Sequence, residues 1–143
     1  MPPIRKVPGA LTPEGFNEIA EGRFPGLVGL EVTAIENGQV AARMPIRPDL
    51  WAPNGYLHAA AVAALADTCT GYGTICSLPE GATGFTTAEL KMNLFATLTE
   101  GVALCDARML HGGRTTQVWD ATISDEATGK SLAVFRCTQI ILR

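Results

Sequence analysis

One carboxylate, Asp67, stands inside the run Leu57-His58-Ala59-Ala60-Ala61-Val62-Ala63-Ala64-Leu65-Ala66-Asp67-Thr68, which is otherwise free of acids and of lysine or arginine. An ionised aspartate among apolar neighbours is costly unless it is paired or used. Desolvation there would raise its pKa and suit it to taking a proton near neutrality. It could activate a water as general base or attack a carbonyl directly as nucleophile, and the sequence leaves both open. A carboxylate satisfied by the hydroxyls of Thr68 or Thr70 is the structural alternative. The same run opens a helix at His58. The first N–H groups of a helix have no partner inside it and lie at the positive end of its dipole. Aimed at a carbonyl oxygen, such a group would stabilise the oxyanion formed during attack, a contribution typically on the order of 3 kcal/mol per donor. Ala59 is the candidate donor, His58 fixes the helix start, and His58 and Ala60 beside it are candidate substrate contacts.

Geometry restricts how these groups can cooperate. Eight residues separate Ala59 from Asp67, about 12 Å of helical rise. An attacking group and an oxyanion donor must both come within about 3 Å of one carbonyl group. One copy of the helix cannot do this, whereas two antiparallel copies can. If the two groups act together, the active unit is at least a dimer with two composite sites. Elsewhere, His111-Gly112-Gly113-Arg114-Thr115 offers a guanidinium, a hydroxyl and backbone N–H groups at a turn. Those are the parts that hold a phosphate, although a Gly-Gly hairpin with a flanking arginine is also a common turn. Asn54 could orient a water or a carbonyl, or could simply belong to an Asn-Gly turn.

Several elements must position these residues. Residues 1–10 carry three prolines and read as a loose arm. Thr12-Pro13-Glu14 then starts a short helix through Ala20, with a capping hydroxyl, a proline at the first helical position and an early acid. Phe24-Pro25-Gly26 ends it. Two β segments, 27–36 and 39–46, flank Asn37-Gly38, a strong hairpin signal. A turn-rich loop, Arg47 to Gly55, leads into a helix from Leu57 to about Cys76 with the composition of a helix buried nearly all round. Four strand-like runs follow: 85–95, 102–110, 114–123 and 131–142. Strands joined by short turns make an antiparallel sheet, and one apolar helix must pack on its face, giving an α+β domain. There is no GxGxxG after a strand, no GxSxG elbow and no phosphate-binding GxxxxGK[ST] loop.

The bulk properties narrow the class. A chain of 143 residues is long enough for one domain with a full core. Its net charge of −3 creates no general field for nucleic acid. The four cysteines, Cys69, Cys76, Cys105 and Cys137, lack metal-ligand spacing, and with only two histidines a metal site is not expected. Their apolar settings fit reduced thiols in a cytoplasmic protein. No apolar run is long enough to span a membrane.

The helix embraced by strands in this order resembles the hot-dog fold, and specifically the acyl-CoA thioesterases of the phenylacetate-degradation (PaaI-like) type. Four stretches carry the resemblance: Leu57-His58-Ala59-Ala60, Leu65-Ala66-Asp67-Thr68, Thr87-Ala88-Glu89-Leu90-Lys91-Met92-Asn93-Leu94, and Gly112-Gly113-Arg114-Thr115. It implies an arm and short helix over residues 1–24 and a hot-dog domain over 25–143. It implies hydrolysis of an aromatic or medium-chain acyl-CoA, with no cofactor beyond the CoA carried by the substrate, in a homodimer at minimum and commonly a homotetramer. The family usually has His-Gly-Gly at the helix start, where Ala59 and Ala60 stand here; alanine keeps the N–H that polarises the thioester carbonyl and adds a methyl group. Thr87 occupies the place of a hydroxyl near the acid. Gly113, Arg114 and Thr115 would meet the CoA phosphates, while Leu50, Trp51 and Tyr56 could line the acyl pocket or equally serve as loop anchors. Glu89 and Lys91 share a strand face and read as a solvated or interface pair. Two other readings carry weight: a non-catalytic acyl-CoA-binding protein, and a hot-dog acyl-thioester dehydratase or hydratase. The second usually needs a histidine beside the acid, and His58 lies about 13 Å from Asp67 along its own helix.

Overall fold

The computed structural model describes residues 10–143, so nearly all of the arm expected over residues 1–10 lies outside the described residues. The first helix, α1 (Pro13–Ala20), starts as its sequence dictates: the Thr12 hydroxyl accepts the Gly15 N–H at 3.1 Å and Pro13 opens the first turn. Phe16 is fully buried against Tyr72, ring centroids 4.4 Å apart. Asn17 exchanges two hydrogen bonds with the backbone of Val32, which docks α1 on the first strand.

The chain departs from expectation next. Phe24–Leu27 forms a short helix, α2, where a strand was expected from residue 27. Pro25 presets the helical φ, and Gly29, at φ +76°, supplies the left-handed conformation that ends the turn. Strand β1 (Glu31–Glu36) then pairs with β2 (Gln39–Pro45) around Asn37-Gly38, as the hairpin signal indicated.

The central helix, α3 (Ala59–Cys76), is followed by β3 (Gly84–Leu94), β4 (Val102–Gly112), β5 (Thr116–Asp125) and β6 (Ser131–Leu142). The six strands form one antiparallel sheet in the order β1-β2-β4-β5-β6-β3. The helix lies across the sheet, and β3 crosses to the far edge, where among the described residues it pairs only with β6. This is the hot-dog arrangement. Alternation along β2, β4 and β5 sends Val40, Met44, Ala107, Trp119 and Ile123 toward the helix, where Leu65, Ala66 and Cys69 meet them. Small residues on α3 allow close approach: a Cβ at Gly73 would fall 2.4 Å from the Trp119 ring. Three boundaries differ from expectation. The helix begins at Ala59 because Leu57 is held in an extended bridge to Trp51. β4 continues past Leu110 through a bulge between Met109 and His111. β5 begins at Thr116 because Arg114 and Thr115 belong to the preceding turn.

Candidate active site

The mouth of α3 is fixed from outside the helix. The Leu57 N–H donates to the Leu98 carbonyl and the His58 N–H to the Leu50 carbonyl, each at 2.9 Å. With its neighbours tied in this extended geometry, His58 becomes the cap: its Nδ1 accepts the Ala60 N–H at 2.9 Å, and its carbonyl takes the Ala61 and Val62 N–H groups. The Ala59 N–H, first in the helix, has no acceptor among the described residues. The expectations therefore separate. Ala59 presents an open donor at the positive helix end. Ala60 does not, because its N–H is spent on the cap, and His58 acts here as a structural acceptor.

Asp67 lies two turns further on. The helix is not buried all round: Ala59 and Ala60 are exposed and Ala63, Asp67 and Thr68 only half-buried, so one stripe is open. Ala59, Ala63 and Asp67 follow the four-residue spacing of a single helix face. Burial raises the Asp67 pKa, and the buried Oδ1 has no hydrogen-bond partner among the described residues. The Thr70 hydroxyl donates to the main-chain carbonyl of Asp67 at 3.0 Å rather than to its carboxylate. A carboxylate satisfied by Thr70 is thus not what the fold provides. The Cys137 thiol is pushed up first by its own burial; its bond to the Thr70 hydroxyl opposes this, and the nearby Asp67 charge adds to it. The Cys137 thiol donates to the Thr70 hydroxyl at 3.4 Å, which sets this turn of α3 over β6, next to the edge strand β3.

Thr87 lies on that edge strand, opposite Gln139 of β6, beside a bulge that precedes Glu89. Opposed residues project to the same face, so Thr87 shares the helix-facing side with the fully buried Gln139 yet remains exposed itself. Gln139 went unnoticed in the sequence. Its Oε1 is buried without a partner among the described residues, a second unsatisfied acceptor on this side of the core. Glu89 and Lys91 fall on the opposite, outer face.

Asn54 is exposed, and its Oδ1 accepts the Tyr56 N–H at 3.2 Å, the local turn that was its alternative reading. Leu50 and Trp51 border a cavity of about 220 Å³ at the helix mouth, together with Ala60, Ala61 and two residues that sequence reasoning missed, Phe24 and Val28. Phe24 opens α2 and Val28 caps it, where the sequence by itself reads Phe24-Pro25-Gly26 only as the end of the first helix and Val28 as strand. Tyr56 lines a separate cavity, beside residues 97–101.

The β4–β5 turn is exposed at Arg114 and Thr115. Gly113 is not a free donor, since its N–H closes the turn on the Thr116 carbonyl at 2.9 Å. Another missed residue, Arg143, donates to the Arg114 carbonyl at 3.1 Å and to the Glu80 carbonyl at 3.3 Å. It lashes this turn to the loop that leaves α3. The turn therefore belongs to the C-terminal end of the helix, about 26 Å of rise from Ala59. One protomer brings His58, Ala59, Leu50 and Trp51 together, and separates them from Asp67 and, further still, from Arg114. Among the described residues, no group of three His, Cys, Asp or Glu side chains could hold a metal ion, and no helix is long and apolar enough to cross a membrane.

Comparison with known proteins bears on this geometry. The family model described as "Thioesterase superfamily" matches residues 54–137, which include the helix mouth, Asp67 and the Arg114 turn. A 1,4-dihydroxy-2-naphthoyl-CoA hydrolase of Listeria monocytogenes is 31% identical over 111 residues, covering 78% of this chain and 89% of the relative. A thioesterase of Pseudomonas aeruginosa, solved as a point mutant, superposes with a TM-score of 0.85 at 27% identity over 96% of both chains. The PaaI protein of the Escherichia coli phenylacetic acid degradation operon shares the fold, with a TM-score of 0.74 at 18% identity over 83% of both chains.

Proposed function

The chain belongs to the thioesterase superfamily and is a thioester hydrolase, and from that premise we propose that it cleaves an aromatic or medium-chain acyl-CoA into free acid and CoA. One observation carries the reading: a single helix holds an unpartnered N–H at Ala59 and a buried, unpartnered carboxylate oxygen at Asp67. Both are idle in the protomer, and both suit the same reaction. A water held by Asp67 attacks the thioester carbonyl carbon and passes its proton to the carboxylate. The oxygen that becomes negative lies against the Ala59 N–H. Collapse of the tetrahedral species breaks the C–S bond, and the sulfur leaves with the proton from Asp67. In the nucleophilic variant Asp67 attacks first, and water hydrolyses the resulting anhydride.

The distances favour a composite site. In an antiparallel pair of α3 helices, Asp67 of one protomer meets Ala59 of the other. The same pairing carries the Arg114 turn, at the C-terminal end of one helix, toward the helix mouth of its partner. The thioester and the CoA phosphates would then be gripped across one interface, with Arg114 and Thr115 on the phosphates. The free edge of β3 suits such a pair, since it presents unpaired backbone and the exposed side chains of Leu90 and Leu94. A dimer is the minimal unit, and two dimers forming a tetramer is the expected assembly. The four free cysteines fit a cytoplasmic setting.

A thiol-release assay over a panel of acyl-CoAs, on wild type and Asp67→Asn, tests the reading. Asp67→Asn should keep substrate binding and lose at least about a hundredfold in turnover. Binding of several acyl-CoAs without hydrolysis by wild type would replace it with the non-catalytic reading.

A further inference from the structure

We infer that α2 is the specificity wall of the acyl pocket, with Phe24 and Trp51 selecting a flat aromatic acyl group over a straight chain. This rests on the acyl-CoA reading above and narrows it.

The sequence commits three devices to a helix of only four residues. Gly22 (φ +69°) and Gly29 (φ +76°) bracket it in conformations that other residues rarely adopt. A Cβ at Gly26 would fall 2.3 Å from the Ala20 carbonyl, so the segment is pressed against the end of α1. The Arg47 guanidinium donates to the Leu27 carbonyl while it pairs with Asp49 at 3.5 Å, which ties α2 to the loop before α3. Yet this pinned segment leaves Phe24 59% exposed. Phe24 lines the cavity at the helix mouth together with Trp51, 40% exposed. The Trp51 indole N–H is anchored on the Thr99 carbonyl at 3.0 Å, which holds that ring in place.

Size and chemistry identify the occupant. Drug-sized ligands occupy pockets of roughly 300–1,000 Å³. The cavity of about 220 Å³ is smaller than that and suits one end of a substrate; Ala60 and Ala61, next to the Ala59 donor, line it with Asp49 and His58 at its polar side. A thioester whose oxygen meets Ala59 N–H projects its acyl end there and its CoA away. Two aromatic rings lining one cavity favour a third ring over a flexible chain of similar area, both through ring–ring geometry and because a rigid group loses less freedom on binding.

The test compares phenylacetyl-CoA with hexanoyl-CoA on wild type, Phe24→Leu and Trp51→Leu, since leucine keeps an apolar surface and removes the ring. The ratio of kcat/KM for the aromatic over the aliphatic substrate should fall about fivefold in each variant. An unchanged ratio overturns the inference. So does a change in sedimentation of Phe24→Leu, because a second copy of the chain would then be what covers the ring. If wild type hydrolyses neither substrate, the hydrolase reading of this site fails separately. The same ratio, read from dissociation constants of the two non-hydrolysable thioether analogues, still decides whether these rings discriminate.

Discussion

Replacing Ala59 by proline isolates the proposed oxyanion donor from everything else the helix start does. Proline lacks the N–H but is well tolerated as the first helical residue, where that N–H has no helical partner. The preceding residue must be extended, and His58 already is, at φ −66° and ψ 136°. Ala59 is exposed, so the ring meets no packed neighbour, and the His58 bond to the Ala60 N–H remains. Thermal stability should therefore stay within about 2 °C of wild type. Turnover should not: loss of one donor of this kind costs about 3 kcal/mol, a fall of about a hundredfold in kcat measured by thiol release. Ala59→Gly, which keeps the N–H and removes the methyl group, should match or exceed wild type. Co-expressing Ala59→Pro with Asp67→Asn then tests the shared site. Random pairing makes half the dimers mixed, each with one intact centre, so activity should return to about a quarter of wild type. Full activity in Ala59→Pro would place the donor elsewhere. No recovery in verified mixed dimers would put both groups on one chain and refute the composite geometry.

Burial raises the Asp67 pKa, so the native state holds that proton where the unfolded chain has released it, and stability falls as pH rises from about 4 through the native value. Asp67→Asn should melt with wild type near pH 4 and about 3 °C higher at pH 7.5, if the half-buried carboxylate costs about 1 kcal/mol; a variant that melts lower at pH 7.5 would mean that the carboxylate is satisfied. The acid limb of wild-type kcat/KM should lie above the ordinary carboxylate range for the same reason. His58→Ala removes the cap on Ala60 and should cost about 1 kcal/mol, whereas His58→Asn, a good capping residue, should restore much of it in thermal melts. Arg114→Ala should raise KM about tenfold for a CoA thioester but not for the matching pantetheine thioester, and equal effects on both would remove Arg114 from the phosphates.

Local rules in the sequence were enough for much of this protein. Thr12-Pro13-Glu14, Asn37-Gly38 and the alanine-rich run to Cys76 each specify their element through capping, turn chemistry or composition, and these are short-range effects. The isolated acid and the helix start were legible for the same reason, as was the distance between them, since helical rise is fixed. Tertiary structure decided the rest. Whether Ala59 or Ala60 keeps a free N–H depends on the His58 ring, and His58 is held by Leu50 through a contact no periodicity reveals. Gly113 loses its donor to a turn closure, and Arg143 reaches Glu80 and Arg114 from 63 and 29 residues away. Phe24 and Val28 reach the helix mouth because Pro25 and Gly29 shape a helical turn there, where Phe24-Pro25-Gly26 alone reads as a helix end and Val28 as strand. Spacing along the chain determines what one element can offer; which groups stay unpartnered depends on what the folded neighbours consume.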